Sequence, residues 1–200
     1  MTHKSTRITT GRIESLLAAA LFAALLVTAW GATQAAATTL LRMSLSQMAQ
    51  AADTIVRGRC IGASTRWDAG SIWTFADVDL IETLKGSPPA RIIVRLPGGR
   101  VGNLATHVDA APSLRPGDEK ILFLEKTRAN DYAVTAWAEG AFRIGRNSRG
   151  EETVTQESSE IPIFDAVTRQ FATQGIHNVP MSDFRQRLAG VLGPLPERAR

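Results

Sequence analysis

The side chains whose spacing comes closest to a catalytic arrangement lie in residues 95–120, RLPGGRVGNLATHVDAAPSLRPGDEK. His107 and the aspartate two residues later could act as a base and its orienting carboxylate, the arrangement that activates serine and cysteine nucleophiles. Ser113 is one candidate nucleophile, but no G-x-S-x-G elbow is present, and Cys60 lies within an apolar strand pattern. The spacing favours a polar turn, and a hydrolase with its site in residues 97–118 is kept as the alternative.

Phosphate and metal chemistry have less support in this sequence. The glycines of PGGRVGN lack G-x-G-x-x-G spacing and no helix pattern follows them, so they predict a turn with positive φ rather than a phosphate cradle. Three histidines and one cysteine, without H-x-x-x-H or C-x-x-C spacing, lead us to expect no metal site and no cofactor. Asp77 and Asp79 could form a carboxylate pair, but the pattern favours a solvated strand face opposite Arg91 and Arg95.

Aromatic side chains give the strongest indication of a binding surface. Trp73 and Phe75 alternate with the aliphatic residues of their segment, which places them on its opposite face. An aromatic outer face could form a platform for a protein partner or a carbohydrate. Alternatively, one of the two predicted helices covers it. We take Trp73, Phe75 and Trp137, with Arg100 and His107 of the neighbouring loop, as candidate binding residues.

Residues 1–37 have the build of a secretory signal peptide. Three basic residues precede the uncharged run LLAAALFAALLVTAW, and Ala35 and Ala37 give an A-x-A cleavage pattern. The apolar run has about 15 residues, whereas a membrane span needs about 20. We therefore predict a chain exported to the periplasm or the medium, with no membrane span after cleavage. An uncleaved membrane anchor is the alternative.

The net charge argues against one class of partner, and the cysteine content excludes stabilisation by an internal disulfide. Cleavage after Ala37 would leave 163 residues with 20 basic and 18 acidic side chains. This small and interspersed net charge argues against a nucleic-acid partner. Because Cys60 is the only cysteine, no internal disulfide can form, and we expect its thiol to be buried in the core.

The chain after residue 37 predicts a β-rich fold flanked by two helices. Ser44 with Gln47 forms a capping-box pattern for a short helix over 45–52, and an amphipathic helix capped by Ser182 is expected over 182–192. Six alternating segments predict a small antiparallel OB-like barrel: TIVRGRCI, IWTFADVDLIETLKG, ARIIVRLP, KILFLEK, DYAVTAWAEG and AFRIGRN. KILFLEK is apolar on both faces and is predicted to be central.

The predicted organisation has four parts. A signal peptide (1–37) precedes an N-terminal helical segment (38–53), a β-barrel domain (54–156) and a tail with the C-terminal helix (157–200). The start of the tail overlaps GEETVTQESSE, which is polar and predicts a loop or an edge strand. A β-dominated structure with two short helices is therefore expected.

Four segments follow one another in order between Met43 and Ile144: SLSQMAQAADTIVRGRC, LIETLKG, IIVRLPGG and PSLRPGDEKILFLEK. They resemble a widespread set of exported bacterial proteins of unknown function, which share an S-L-x-x-L-x-x-A-D-x-I-V-x-G start, LKG, PGG and G-[DE]-x-x-[IL]-L-F-L. The resemblance implies export and a small barrel, and it supplies no activity. A more distant similarity is to the OB-fold barrels of netrin-type and tissue metalloprotease-inhibitor domains. Several disulfides usually hold those domains, whereas this chain has one cysteine.

These observations predict an exported, non-catalytic binding or accessory module. Its expected partner is another envelope or extracellular protein, or a carbohydrate. The alternative function is an envelope hydrolase whose site lies in the 97–118 loop.

Overall fold

The computed structural model describes residues 42–173 and 175–196, which form a mainly β structure with two α-helices. The helices are α1 (Leu45–Ala51) and α2 (Met181–Leu192). The strands in chain order are β1 (Thr54–Asp68), β2 (Ser71–Lys85), β3 (Arg91–Pro97), β4 (Gly99–Val101), β5 (Leu104–Thr106), β6 (Glu119–Lys126), β7 (Tyr132–Val134), β8 (Ala141–Arg146), β9 (Glu152–Gln156), β10 (Ile163–Asp165), β11 (Gln170–Ala172) and β12 (Val179–Pro180). Two single 3-10 turns are Trp137–Gly140 and Glu157–Glu160.

Eight strands form the main sheet, in the order β1-β2-β3-β7-β6-β8-β9-β12. The first part of β1 also pairs with β6, from Thr54 opposite Leu124 to Arg59 opposite Glu119. The β4–β5 and β10–β11 hairpins form two separate two-stranded sheets. The prediction of a mainly β fold is confirmed, but the predicted number of six strands is too low because β9 and β12 extend the sheet beyond β8.

Two parts of the sheet differ from the sequence-based expectation. Strands β3 and β7 pair in parallel, with Val94 opposite Tyr132, so the sheet is not wholly antiparallel. The segment DYAVTAWAEG is a strand only as far as Val134, where β7 ends. The polar segment GEETVTQESSE contains β9, whose Val154 is fully buried. The threonines and the glutamine of this segment have the composition of a surface loop. Gln156 is nevertheless buried, and its side chain donates a hydrogen bond to a backbone carbonyl.

The long β1–β2 hairpin forms where the alternation predicts it. Its turn places Ala69 and Gly70 at φ 48° and 81°, the positive angles that a two-residue type I′ loop requires. The register shifts between Arg57 and Gly58, which marks a bulge. A Cβ on Gly58 would lie 2.5 Å from Val78 Cγ1. A bulge and close packing therefore coincide at Gly58.

Two apolar cores lie on the two sides of β1 and β6. The inner core lies among β1, β2, β3 and β6, and its buried members include Val56, Cys60, Ala76, Val78, Ile92, Val94, Leu122 and Leu124. The helix-covered core lies beneath α1 and α2, and its buried members include Met48, Ile55, Leu84, Ile121, Phe123, Phe142, Phe184 and Leu188. Strand β6 supplies alternate residues to both cores, which confirms the prediction that KILFLEK is central.

Helix α1 is fixed at both of its ends. Ser44 Oγ accepts a hydrogen bond from the backbone N–H of Gln47, and Gln47 Oε1 accepts one from that of Ser44, which is the predicted capping box. At the other end Lys85 Nζ donates to the carbonyls of Ala49 (2.8 Å) and Ala52 (2.6 Å). A cation at the last carbonyls also complements the helix dipole. The lysine of LKG thus has a structural role.

Helix α2 starts one residue earlier than predicted and with a different cap. Pro180 is the N-cap, whereas Ser182 lies inside the helix, where its hydroxyl donates to Asp183. Gly193, at φ 87°, caps the other end. The apolar face of α2 is buried through Phe184 and Leu188. This confirms an amphipathic helix and corrects the position of its cap.

Neither helix of the described part of the chain has the length and apolarity needed to cross a membrane. The predicted signal peptide, residues 1–37, lies outside the described residues, as does the alternative of an uncleaved anchor in the same segment.

Candidate functional site

A small cleft brings together the two tryptophans Trp73 and Trp137. Its volume is about 160 Å³. It is lined by residues from β2, β3, β7, the first 3-10 turn and the 97–118 loop, namely Trp73, Arg95, Pro97, Pro112, Ala133, Val134 and Trp137. Residues far apart in the sequence therefore form one small concave surface.

The register of β2 and β3 aligns the aromatic side chains with an arginine. Trp73 lies opposite Pro97 and Phe75 lies opposite Arg95, on the face of β2 turned away from the inner core. The guanidinium carbon of Arg95 is 4.3 Å from the Trp73 ring centroid and 5.6 Å from that of Phe75. Arg66 lies over the Phe75 ring at 3.5 Å. Cation–π contacts thus order this face as alternating arginines and rings.

Arginine side chains cover part of the predicted aromatic face, and the helices do not. Phe75 is only 5% exposed, so it supports the surface from beneath instead of forming it. Trp73 and Trp137 are half-buried and reach the cleft. Helices α1 and α2 pack on the helix-covered core, on another part of the sheet. Neither the fully open platform nor the helix-covered face is observed.

Arg95 forms a fixed wall of the cleft. Its Nη2 lies 2.6 Å from Asp68 Oδ2, and its Nη1 lies 3.9 Å from Asp131 Oδ2. The side chain of Arg95 is 17% exposed. Two carboxylates therefore offset the charge of the guanidinium while its flat face stacks on Trp73, so the wall is planar and carries no net positive charge.

Trp137 adopts a backbone conformation that is unusual for its residue type. Ala136 and Trp137 have φ angles of 51° and 57°, in the left-handed region. This region costs about 1–2 kcal/mol per residue for an L-amino acid other than glycine. Bulky residues adopt it only where the surrounding structure determines the conformation, and such residues cluster at functional sites.

Three hydrogen bonds hold the segment that carries Trp137. The N–H of Ala138 donates to the carbonyl of Ala110 (3.1 Å), which joins the turn to the 97–118 loop. Gln156 Nε2 donates to the carbonyl of Glu139 (2.7 Å). The N–H of Met43 donates to Glu139 Oε2 (3.0 Å). The turn is thus tied to the loop, to β9 and to the start of α1.

Glu139 is a carboxyl group buried two residues after Trp137, with only 2% of its surface exposed. Burial raises the pKa of Glu139 above its ordinary value, while the hydrogen bond from Met43 and the charge of Arg42 act in the opposite direction. The net effect favours the protonated form relative to a solvated glutamate. The position of Trp137 therefore depends on a buried ionisable group.

The glycines of the 97–118 loop serve its backbone geometry. Gly98 has φ 91°, and a Cβ there would lie 2.7 Å from the carbonyl oxygen of Thr106. Gly99 has φ 133°, and its Cβ would lie 2.5 Å from Thr65 Cγ2. The turn with positive φ predicted for these glycines is confirmed, and close approach of neighbouring chain segments is its reason.

His107 and Asp109 face solvent at the tip of the same loop. His107 Nε2 is 3.4 Å from Asp109 Oδ1, and the two side chains are 90% and 101% exposed. His107 borders a separate pocket of about 360 Å³, which Ser113 also lines. Arg100, on β4, is exposed and is not among the residues of the cleft. The structure therefore places Arg100 and His107 beside the aromatic cleft and not within it.

Ser113 is engaged in a buried ionic cluster. Lys120, whose side chain is 4% exposed, contacts the Ser113 carbonyl and the carboxylate of Glu157, and lies 3.6 Å from Asp118 Oδ2. The same ammonium lies 3.3 Å from Ser113 Oγ. Lys120 is thus held by two carboxylates and a backbone carbonyl, and this arrangement anchors the loop to strand β6.

Cysteine and metal chemistry add nothing to the site. Cys60 is 1% exposed, and its Sγ lies 3.3 Å from the carbonyl of Gly62. Burial raises the pKa of this thiol, so its reactive thiolate is disfavoured. The buried thiol predicted for Cys60 is confirmed. Within residues 42–173 and 175–196, no group of three or more histidine, cysteine, aspartate or glutamate side chains converges on a metal position.

Sequence reasoning identified Trp73 and Trp137 but missed the residues that complete the cleft. Arg95 was assigned to a solvated strand face, Pro97 was treated only as the end of a strand at a turn, and Pro112 was given no role. The alternation of ARIIVRLP does place Arg95 and Pro97 on the same face of their strand. If β2 and β3 pair so that their aliphatic residues share the inner core, this face lies on the same side of the sheet as Trp73. Pro112 carried no comparable signal, because a long loop folds back on the strands without a sequence period.

The chain matches no protein-family model, and no curated protein is similar to it in sequence. The site is therefore interpreted from its own geometry.

Proposed function

We propose that this protein is an exported, non-catalytic binding module whose ligand surface is the cleft between Trp73 and Trp137. The observation that carries the proposal is Trp137 itself. A bulky aromatic residue is held at positive φ and presented to a concave surface opposite a second tryptophan. Large amphipathic rings held rigidly are the side chains that contribute most to binding energy at interfaces.

The order in which the strands pair supports this assignment. The pairings run from β1 to β2, β3, β7 and β6, and β6 pairs again with β1. We propose that these five strands form an OB-like barrel around the inner core. In OB folds the face of the second and third strands binds ligands. Trp73, Arg95 and Pro97 lie on the corresponding outer face of β2 and β3.

Export follows from the signal-peptide pattern of residues 1–37 and from the resemblance to exported bacterial proteins. The partner would then be an envelope or extracellular molecule. Arginines border the cleft, but Asp68 and Asp131 neutralise Arg95. This charge balance supports a neutral partner surface rather than a polyanion.

A hydrolase with its site in the 97–118 loop is the second candidate, because His107 and Ser113 line the same pocket. Its difficulty is that Lys120 beside Ser113 Oγ is already engaged by Glu157 and by the Ser113 carbonyl, and that the His107–Asp109 pair is fully solvated. If the hydrolase candidate is correct, His107→Ala abolishes turnover of an ester substrate. The binding proposal expects no such turnover from the unchanged protein.

Partner capture by cross-linking and co-purification from the cell envelope tests the binding proposal. Trp73→Ala is expected to reduce capture at least about fivefold, because truncating a central aromatic hot-spot residue costs more than about 1 kcal/mol of binding energy. The matched control is Trp67→Ala, which removes a tryptophan that is 52% exposed outside the cleft. Thermal unfolding checks that both variants fold. Equal capture by Trp73→Ala and Trp67→Ala would contradict the proposal.

A further inference from the structure

The side chains that line the Trp73–Trp137 cleft offer hydrogen-bond donors and no acceptors. Proline, alanine and valine side chains contribute only apolar surface, the indole rings contribute N–H donors, and the guanidinium contributes donors alone. A ligand that is complementary to these side chains offers hydrogen-bond acceptors to them. Carbohydrates match them less well, because each hydroxyl also carries a proton for which these side chains provide no acceptor.

The indole donors are available to a ligand. Neither Trp73 nor Trp137 donates its indole N–H to another group among the described residues, and neither nitrogen is sealed from solvent. The guanidinium of Arg95, by contrast, is already held by Asp68. Both indole rings line the cleft, so its walls include two neutral donors that have no partner among the described residues.

The dimensions and stiffness of the cleft select a small rigid group. A volume of about 160 Å³ accommodates one compact ring or side chain. The walls are rings, prolines and a salt-bridged guanidinium, and hydrogen bonds hold the turn that carries Trp137. Little side-chain freedom is lost on binding, which favours a ligand that is itself already ordered.

We infer that the cleft binds a proline-containing segment of an extracellular partner in the polyproline II conformation, an inference that rests on the proposed binding function. Proline has a carbonyl acceptor and lacks an N–H, so it matches the donor-only lining. Its ring fits between aromatic walls, and the polyproline II helix is ordered before binding and exposes its carbonyls. One pyrrolidine ring enters the cleft, and the indole N–H groups donate to carbonyls of the same segment.

Titration of the full chain with a capped octaproline peptide tests this inference. The measurement is the chemical shift of each indole N–H in ¹H–¹⁵N spectra, assigned with single Trp→Phe variants. The indole signals of Trp73 and Trp137 are expected to move saturably, while that of Trp67 stays in place as an internal control. A glycine–serine peptide of equal length should leave all of them unchanged.

Conservative variants separate the role of the donor from that of the ring. Trp73→Phe and Trp137→Phe keep an aromatic wall and remove one N–H, so each should weaken octaproline binding about tenfold. Unchanged affinity in both variants would overturn the donor assignment that carries the inference. The unperturbed Trp67 signal verifies that each variant is folded.

The titration also distinguishes this inference from the proposed function. If a chitooligosaccharide moves the two indole signals and octaproline does not, the proline assignment is wrong and the cleft remains a binding site. If octaproline fails and no probe binds, the inference is likewise overturned. Partner capture from the cell envelope by Trp73→Ala, compared with Trp67→Ala, then tests the proposed binding function independently of the proline assignment.

Discussion

Two segments border the candidate site, and they are held in opposite ways. The turn around Trp137 is fixed by hydrogen bonds to the 97–118 loop, to β9 and to the start of α1, and its Glu139 is buried. The tip of the 97–118 loop carries His107 and Asp109 with almost their whole surface in water. Both segments contain residue types capable of chemistry. Only the first places its functional side chain in one determined position.

The difference shows which kind of residue can contribute binding energy here. A side chain that is already ordered loses little entropy when a ligand arrives. An exposed histidine beside an exposed aspartate must first be ordered, and water competes for each of its hydrogen bonds. The Trp137 turn is therefore the better ordered of the two segments, and for this reason the proposed binding surface includes it and not the loop tip.

The largest expected effect comes from a matched pair of glycine substitutions. In Gly140→Ala the new Cβ would lie 2.1 Å from the carbonyl oxygen of Thr135, so about 3 kcal/mol of unfolding free energy should be lost. In Gly102→Ala nothing lies within 4 Å of the Cβ, and the positive φ of 58° should cost about 1 kcal/mol. Urea denaturation measures both. Equal losses of unfolding free energy in the two variants would contradict the distinction between the hydrogen-bonded Trp137 turn and the exposed 97–118 loop, in which Gly102 lies.

The second expected effect is a pH dependence carried by Glu139. Burial raises the pKa of this carboxyl in the folded protein. The folded state then binds a proton more tightly than the unfolded state, so this group's contribution to stability is present below the unfolded pKa and is lost as pH rises through the folded pKa. Glu139→Gln keeps an acceptor for Met43 and removes the ionisation.

The stability difference between Glu139→Gln and the unchanged protein should therefore grow in favour of the variant between acidic and neutral pH. Denaturation midpoints across that range measure it. Asp109→Asn, at the exposed loop tip, is the control and should show no comparable trend. If the stability difference between Glu139→Gln and the unchanged protein does not vary with pH, burial does not raise the pKa of Glu139 in the folded protein.

The smallest effect is expected for His107→Ala. Surface substitutions of this kind change unfolding free energy by less than about 0.5 kcal/mol. Partner capture should also remain unchanged, because His107 does not line the cleft. A tenfold loss of partner capture in a folded His107→Ala protein would show that the binding surface lies at the loop tip and not in the cleft.

Much of the fold was predictable because local patterns and the tertiary structure agree. The alternation of β2, the two apolar faces of β6 and the capping box of α1 all reflect contacts that the structure contains. The second cap was misplaced because Ser182 fits the local rule equally well, while packing of Phe184 and Leu188 determines where α2 begins.

The candidate site was predictable only in part. Trp73 could be placed on an outer face by period, but the cover that Arg66 forms over Phe75 depends on a register set by the bulge between Cys60 and Gly62. Trp137 was assigned to a strand because residues 136–137 contain no glycine or asparagine that would indicate a left-handed turn. That conformation is imposed by distant hydrogen-bond partners, which a local pattern does not contain.

The helix-covered core has a consequence for the order in which the molecule acquires structure. Helix α1 has seven residues, too few to persist alone in water, and its Met48 is buried together with Phe184 and Leu188 of α2. During synthesis α1 is made among the first of the described elements, and it remains without its complete binding surface until α2, the last of them, is made. The two helices should therefore gain and lose amide-exchange protection together, as one cooperative unit.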